Sequence, residues 1–229
     1  MTRPPGAEVR ARVPRELAPA LPALFVGVLE LHLTAISADW HLVRAVTKPL
    51  LMPVLAALAW TRSAPRGLLA ALACGWGGDV LLEIGGTVPF LLGMASFATG
   101  HVCYLRLFAR RGAFAGARRA VAVRCAAYGV VWAALISLLV PGLDPGMRVP
   151  VAAYSLLLAA MAAGAYGLGR RAALGGALFL LSDTLIATGL ADWPQPPDGD
   201  VWIMLTYACA QMLLTVGVLA AAPMVERTG

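Results

Sequence analysis

Four carboxylates, Glu30, Asp79, Glu83 and Asp183, stand inside stretches of sequence that are otherwise almost wholly apolar. Each costs roughly 2.5 to 3.5 kcal/mol at the centre of a membrane helix on insertion scales, so each calls for a partner or a polar cavity. Asp79 follows Gly67 by twelve residues and Asp183 follows Ala172 by eleven. At the helical rise per residue both then sit slightly past mid-membrane toward the outer side, at a depth that lets them face one cavity. On helices running the other way, His101 and Gln211 reach a comparable depth. Tyr104 and Tyr207 share their respective faces, three residues after His101 and four before Gln211. Lys48, the one lysine in the chain, precedes Pro49 and Pro53. A proline-distorted turn there would free backbone carbonyls, and the ammonium could meet a phosphate or a carboxylate. Groups of these types at one depth can relay protons or hold a polar ligand.

Each residue also has a plainer reading. A membrane aspartate paired with Lys48 or a backbone donor can act as structural glue, although two aspartates, a histidine and a glutamine at one depth weigh against that. Glu83 lies near enough to the outer surface to be simply solvated, Glu30 reads as structural, and His101 alone could be a hydrogen-bonded bundle histidine. A zinc site is not expected, because His32 and His41 fall near the outer end of the first span and its loop, far in depth from His101. Cys74, Cys103, Cys125 and Cys209 form no C-x-x-C pair and read as buried small hydrophobes. Other aromatic and methionine residues read as packing. No cofactor is expected.

The elements that must position these groups are membrane helices. Of the 229 residues 60% are hydrophobic and 13% charged, with a mean hydropathy of +0.78, well beyond soluble-domain usage. Eight candidate spans follow one another at 21–36, 46–60, 67–84, 88–108, 121–140, 149–168, 172–190 and 201–223, the first two short for a full crossing. Proline and glycine clusters at 141–142, 145–146 and 194–199 fall between spans. The expectation is an all-α polytopic bundle at 21–223, with tails at 1–20 and 224–229.

A net charge of +6 does not suggest nucleic acid, because the basic residues sit in ones and twos at span ends, where they orient helices. All but three of the 18, namely Arg44, Lys48 and Arg148, fall on the side of the N-terminal tail, while Asp39, Asp144, Asp192, Asp198 and Asp200 collect on the other. Both termini are therefore expected to be cytoplasmic. Seventeen arginines to one lysine, with much alanine, fits a GC-rich bacterial coding sequence. Gly78-Asp79-Val80-Leu81-Leu82 also resembles Ser182-Asp183-Thr184-Leu185-Ile186, which hints at a parallel four-plus-four repeat.

The same residues carry a resemblance. Thr47-Lys48-Pro49 with Met52-Pro53, Gly78-Asp79-Val80-Leu81-Leu82, Phe90-Leu91-Leu92-Gly93 followed by Phe97, His101 and Tyr104, Gly176-Ala177-Leu178-Phe179 with Ser182-Asp183, and Tyr207 with Gln211 together resemble the YhhN-like membrane proteins, the family that includes the lysoplasmalogenases. Each segment is weak alone, but their order spans the second to the eighth helix. Glu83 departs from the pattern, standing where a small or apolar residue is expected, and the arginine-rich tail lies outside it.

The resemblance implies an eight-helix hydrolase that cleaves the vinyl-ether bond of lysoplasmalogen, a lysophospholipid, to a fatty aldehyde and glycerophosphoethanolamine or glycerophosphocholine. Enol-ether hydrolysis needs an acid that protonates the β-carbon and a second group that stabilises the resulting oxocarbenium ion and activates water. Glycosidases divide those tasks between two carboxyl groups, and Asp79 and Asp183 would do so here. His101, Tyr104, Tyr207 and Gln211 would hold the water and set the carboxyl protonation states, with Ser182 and Glu83 supporting and Lys48 meeting the phosphate. The competing class is a proton-coupled transporter or a lipid-binding membrane protein, for which Gly75, Gly77 and Gly78 leave room for a broken helix.

Overall fold

A chain this apolar in a bilayer must satisfy its backbone hydrogen bonds within each segment, which leaves the helix as the local solution. The computed structural model describes residues 19–221 and contains eight helices: α1 (Leu21–Ser37), α2 (His41–Thr61), α3 (Arg66–Ile84), α4 (Thr87–Arg110), α5 (Arg118–Leu139), α6 (Pro145–Tyr166), α7 (Arg170–Leu190) and α8 (Gly199–Ala220). The N-terminal tail through residue 18, the C-terminal tail and the end of the last span at 222–223 lie outside the described residues.

Seven helices are long and apolar enough to cross a membrane, while α1, at 17 residues, is shorter. α2 begins at His41, five residues before the hydropathic stretch, because His41 and Arg44 lower the mean hydropathy without interrupting the backbone pattern. Pro49 and Pro53 lie inside α2, so the proline pair does not break the helix. Each still removes one helical N–H. α3 and α7, which carry the aspartates, are likewise continuous, and the glycines at 75, 77 and 78 do not open a discontinuity.

Seven helices close a ring in the order α1, α2, α3, α4, α6, α7, α8, with α8 also reaching α2 and α3, while α5 lies outside it and packs mainly on α6 and the 3-10 turn Val140–Gly142. Leu139 is the one buried residue of α5. Its apolar exposed residues, such as Val123, Val130 and Leu138, are solvated by lipid tails at no cost, since hydrocarbon is as apolar as they are.

The closest pairs, α3 with α4 and α7 with α8, meet through small residues. A Cβ built on Gly175 would lie 2.8 Å from the backbone nitrogen of Leu214, and one on Gly217 would lie 2.7 Å from that of Ala172. Small residues allow this backbone approach, which drives helix association where no hydrophobic effect operates. Arg111, just after α4, donates to the carbonyls of Val218 and Ala221, two of the four acceptors that the C-terminus of α8 leaves without helical partners.

Candidate functional site

The ring encloses a half-open cleft of about 690 Å³, including the space at its open side. Asp79 and Asp183 both line it, from α3 and α7, together with Lys48, Ser182, Tyr154 and Tyr207. The rest of the lining is apolar, drawn from α3, α4, α6, α7 and α8, the usual character of a pocket for a largely hydrocarbon ligand.

The small residue before each aspartate lets a neighbouring helix close. At Gly78 an added Cβ would lie 2.4 Å from Cε2 of Phe97, so the bare backbone admits that ring beside Asp79. At Ser182, which is 1% exposed, the hydroxyl donates to the carbonyl of Ile203 at 2.9 Å and ties α7 to α8. Phe97 then packs edge-on against Phe179 and Tyr207, at centroid distances of 6.3 and 5.9 Å. Phe179 in turn meets Tyr207 at 5.5 Å and His101 at 4.8 Å. This aromatic cluster fixes the rings that bond the carboxyls.

Each carboxyl has its own tyrosine. Tyr207 donates to Oδ2 of Asp79 at 2.8 Å, and Tyr154 donates to Oδ2 of Asp183. Behind Tyr207, the Gln211 amide nitrogen stands 3.5 Å from its hydroxyl, and the Tyr104 hydroxyl donates to Gln211 Oε1 at 2.7 Å. Every donor in that row points toward Asp79. Behind Tyr154 stands His101, with Nε2 3.2 Å from the tyrosine hydroxyl. The Tyr154 proton lies on Asp183, so Nε2–H of His101 is the donor in that arrangement. His101 Nδ1 is buried and makes no hydrogen bond among the described residues.

The expected residues therefore divide into two layers. Asp79, Asp183, Lys48, Ser182 and Tyr207 face the cleft. His101, Tyr104 and Gln211, each 1% exposed, lie behind it and act on the carboxyls through tyrosines rather than touching a ligand. Glu83 sits outside the cleft lining and accepts from Lys48 Nζ at 3.0 Å. Glu30 is exposed on α1, away from the cleft. His32 bonds Thr47 instead: its Nδ1 stands 2.8 Å from Thr47 Oγ1, whose own proton goes to the Val43 carbonyl at 2.6 Å.

Tyr154 was not among the expected residues. As one aromatic among Val, Ala and Leu in a membrane segment it reads as packing. The available signal was its depth: five residues after the Val149 start of its span, it falls level with aspartates that stand five and seven residues before the ends of theirs.

Residues 43–218 match the YhhN family. The chain is 34% identical over 179 residues to lysoplasmalogenase TMEM86B of Homo sapiens, covering 76% of this chain and 75% of that protein. It is 34% identical over 152 residues to lysoplasmalogenase TMEM86B of Rattus norvegicus (66% and 61%) and 31% identical over 173 residues to that of Sus scrofa (73% and 72%). No solved structure matches. The matched segment runs from α2 into α8 and takes in both aspartates and both of their tyrosines, and the chain belongs to the YhhN family.

Proposed function

We propose that this chain is a membrane hydrolase that cleaves the alkenyl ether bond of a lysoplasmalogen, releasing a fatty aldehyde and glycerophosphoethanolamine or glycerophosphocholine. The observation that carries the reading is the pair of intramembrane aspartates on α3 and α7, each bonded by a separate tyrosine and both facing one apolar cleft. The relatives named lysoplasmalogenase support it.

The two hydrogen-bond rows favour a division of labour. The row behind Asp79 passes through the Gln211 amide, which donates but does not hand protons on, so it favours Asp79 as an ionised acceptor. The row behind Asp183 ends on the His101 ring. A protonated Asp183 can donate to the Tyr154 oxygen while Tyr154 donates to Nε2, so that row accommodates the acid form.

Asp183 then transfers its proton to the β-carbon of the enol ether, and the ether oxygen shares a lone pair to give the oxocarbenium ion, held by the Asp79 carboxylate. Water adds to the α-carbon and gives a proton to Asp79, forming the hemiacetal. As the hemiacetal collapses, its hydroxyl proton returns to Asp183 and Asp79 protonates the departing glycerol oxygen. One water is consumed, and both carboxyls end as they began. In the same reading Lys48 meets the lipid phosphate, the hydrocarbon tail lies along the apolar lining, and Ser182 fixes α7 against α8.

The arginine asymmetry favours a cell-membrane protein with both termini cytoplasmic, its bundle at 21–223 flanked by short tails. The cleft then opens toward the outer leaflet.

Purified protein in detergent is expected to release aldehyde from an alkenyl lysophospholipid and to leave the saturated alkyl ether intact. Hydrolysis needs no sealed compartment, so intact alkenyl lipid after prolonged incubation with folded protein sinks the reading. Tyr154→Phe keeps the ring and deletes the hydroxyl that joins Asp183 to His101. Its kcat is expected to fall about tenfold to a hundredfold with KM nearly unchanged. A defect confined to KM would remove Tyr154 from the positioning of the acid.

A further inference from the structure

At the outer end of the cleft the chain holds one cation and one anion that no step above consumes together. Lys48 Nζ is 3.0 Å from Glu83 Oε2, with side chains 18% and 35% exposed. Lys48 lines the cleft and Glu83 does not, so the anion lies outside the cation. Glu83 is also four residues beyond Asp79 on α3, on the same face and about 6 Å farther along the axis. The order from the reacting end outward is carboxyl pair, ammonium, carboxylate.

The surroundings of Glu83 suit a second positive charge. It is the penultimate residue of α3, where the last carbonyls present the negative end of the helix dipole, and no basic residue of that turn neutralises it. Gly85 and Gly86 follow, both exposed and both at positive φ, 77° and 86°. A Cβ on Gly85 would meet nothing within 4 Å. The turn that follows Glu83 is thus open at Gly85.

We infer that Glu83 is the head-group selector of this site, accepting the primary ammonium of a glycerophosphoethanolamine-type lipid whose phosphate displaces it from Lys48. The inference rests on the hydrolase reading only for the placement of the vinyl ether at the aspartates. A zwitterion satisfies both partners of the opened pair: the phosphate takes Lys48 and the ammonium takes Glu83, with no change in net charge. A lipid that ends in a bare phosphate leaves the Glu83 carboxylate without its cation and beside a second anion. The carboxylate–ammonium contact is partly exposed, so the expected discrimination is modest.

The test uses the full chain in detergent with two uncleavable probes of equal tail length, a 1-alkyl-glycerophosphoethanolamine and the corresponding 1-alkyl-glycerophosphate. Wild type is expected to bind the first about threefold to fivefold more tightly. Glu83→Gln brings the ratio near one, and Glu83→Lys reverses it by placing two cations at the mouth. A ratio that is the same in all three proteins, or the absence of binding of either probe to the wild type, overturns the proposal. The cleavable alkenyl forms of both lipids separate it from the hydrolase reading. Aldehyde release with a charge-blind binding ratio removes the selector alone. Charge-dependent binding without aldehyde keeps the selector and removes the hydrolysis.

Discussion

Asp183→Asn protein, purified and folded, is expected to release aldehyde about 10²- to 10⁴-fold more slowly than the wild type, the range that a positioned acid contributes. The substitution keeps the size of the side chain and a carbonyl oxygen to accept from Tyr154, and removes the transferable proton. Asp79→Asn is expected to lose activity on the same scale for a different reason, because a neutral amide neither stabilises the oxocarbenium ion nor accepts the proton of the attacking water. Both changes also remove a carboxyl group from the membrane interior, where it is costly. Thermal unfolding in detergent should therefore be unchanged or shifted upward. That combination, lost turnover with retained or raised melting temperature, distinguishes a chemical role from structural glue. Turnover within a few-fold of wild type in either variant would exclude that aspartate from the chemistry.

The largest effect on stability is expected at the α7–α8 contact. Gly217→Ala places a methyl group 2.7 Å from the backbone nitrogen of Ala172 and 2.8 Å from its Cβ. No rotamer relieves a clash with backbone, so the helices must separate. Overpacking of this kind costs roughly 1 to 3 kcal/mol, and Gly217 sits at the upper end because the obstacle cannot turn away. Gly27→Ala supplies the contrast: nothing lies within 4 Å of its added Cβ, and alanine is the better helix former by about 1 kcal/mol. Melting temperatures of the two variants in one detergent should move in opposite directions. Equal behaviour would mean that close backbone approach does not hold α7 to α8. Separation also moves Tyr207 and Ser182, which couple α8 to Asp79 and α7 to α8, so the surviving Gly217→Ala protein should be slow as well as unstable.

The helices were legible because a membrane filters sequence harshly: hydropathy and the punctuation of proline and glycine place seven starts within about four residues of those observed. The exception, α2, begins over His41 and Arg44, where hydropathy drops but helical hydrogen bonding does not. The exclusion of α5 from the ring carries no such mark. A helix facing lipid and a helix facing other helices are equally apolar, so only lateral contacts tell them apart. The two aspartates announced themselves by their cost. Tyr154 did not, because a tyrosine is at home in a membrane, and its importance comes from neighbours 53 and 29 residues away on α4 and α7. The expected common depth of His101 and Gln211 with the aspartates fails on the residue counts: they lie thirteen and ten residues from span starts at Val88 and Val201, whereas Asp79 and Asp183 lie five and seven residues from the adjoining span ends, so His101, Tyr104 and Gln211 stand behind the cleft.

The spacing of the tyrosine partners along the chain has a consequence for biogenesis. Tyr154 precedes Asp183 by 29 residues, so α7 enters the membrane with its partner already inserted. Tyr207 follows Asp79 by 128 residues. At about 5 to 20 residues per second the ribosome needs roughly 6 to 25 s to supply it. During that interval Asp79 waits in the bilayer without its final hydrogen bond, held by the early pairing of α3 with α4, where Gly93 and Gly100 bring the two backbones close. A nascent chain stalled before α8 would therefore carry both aspartates without the tyrosine that bonds Asp79.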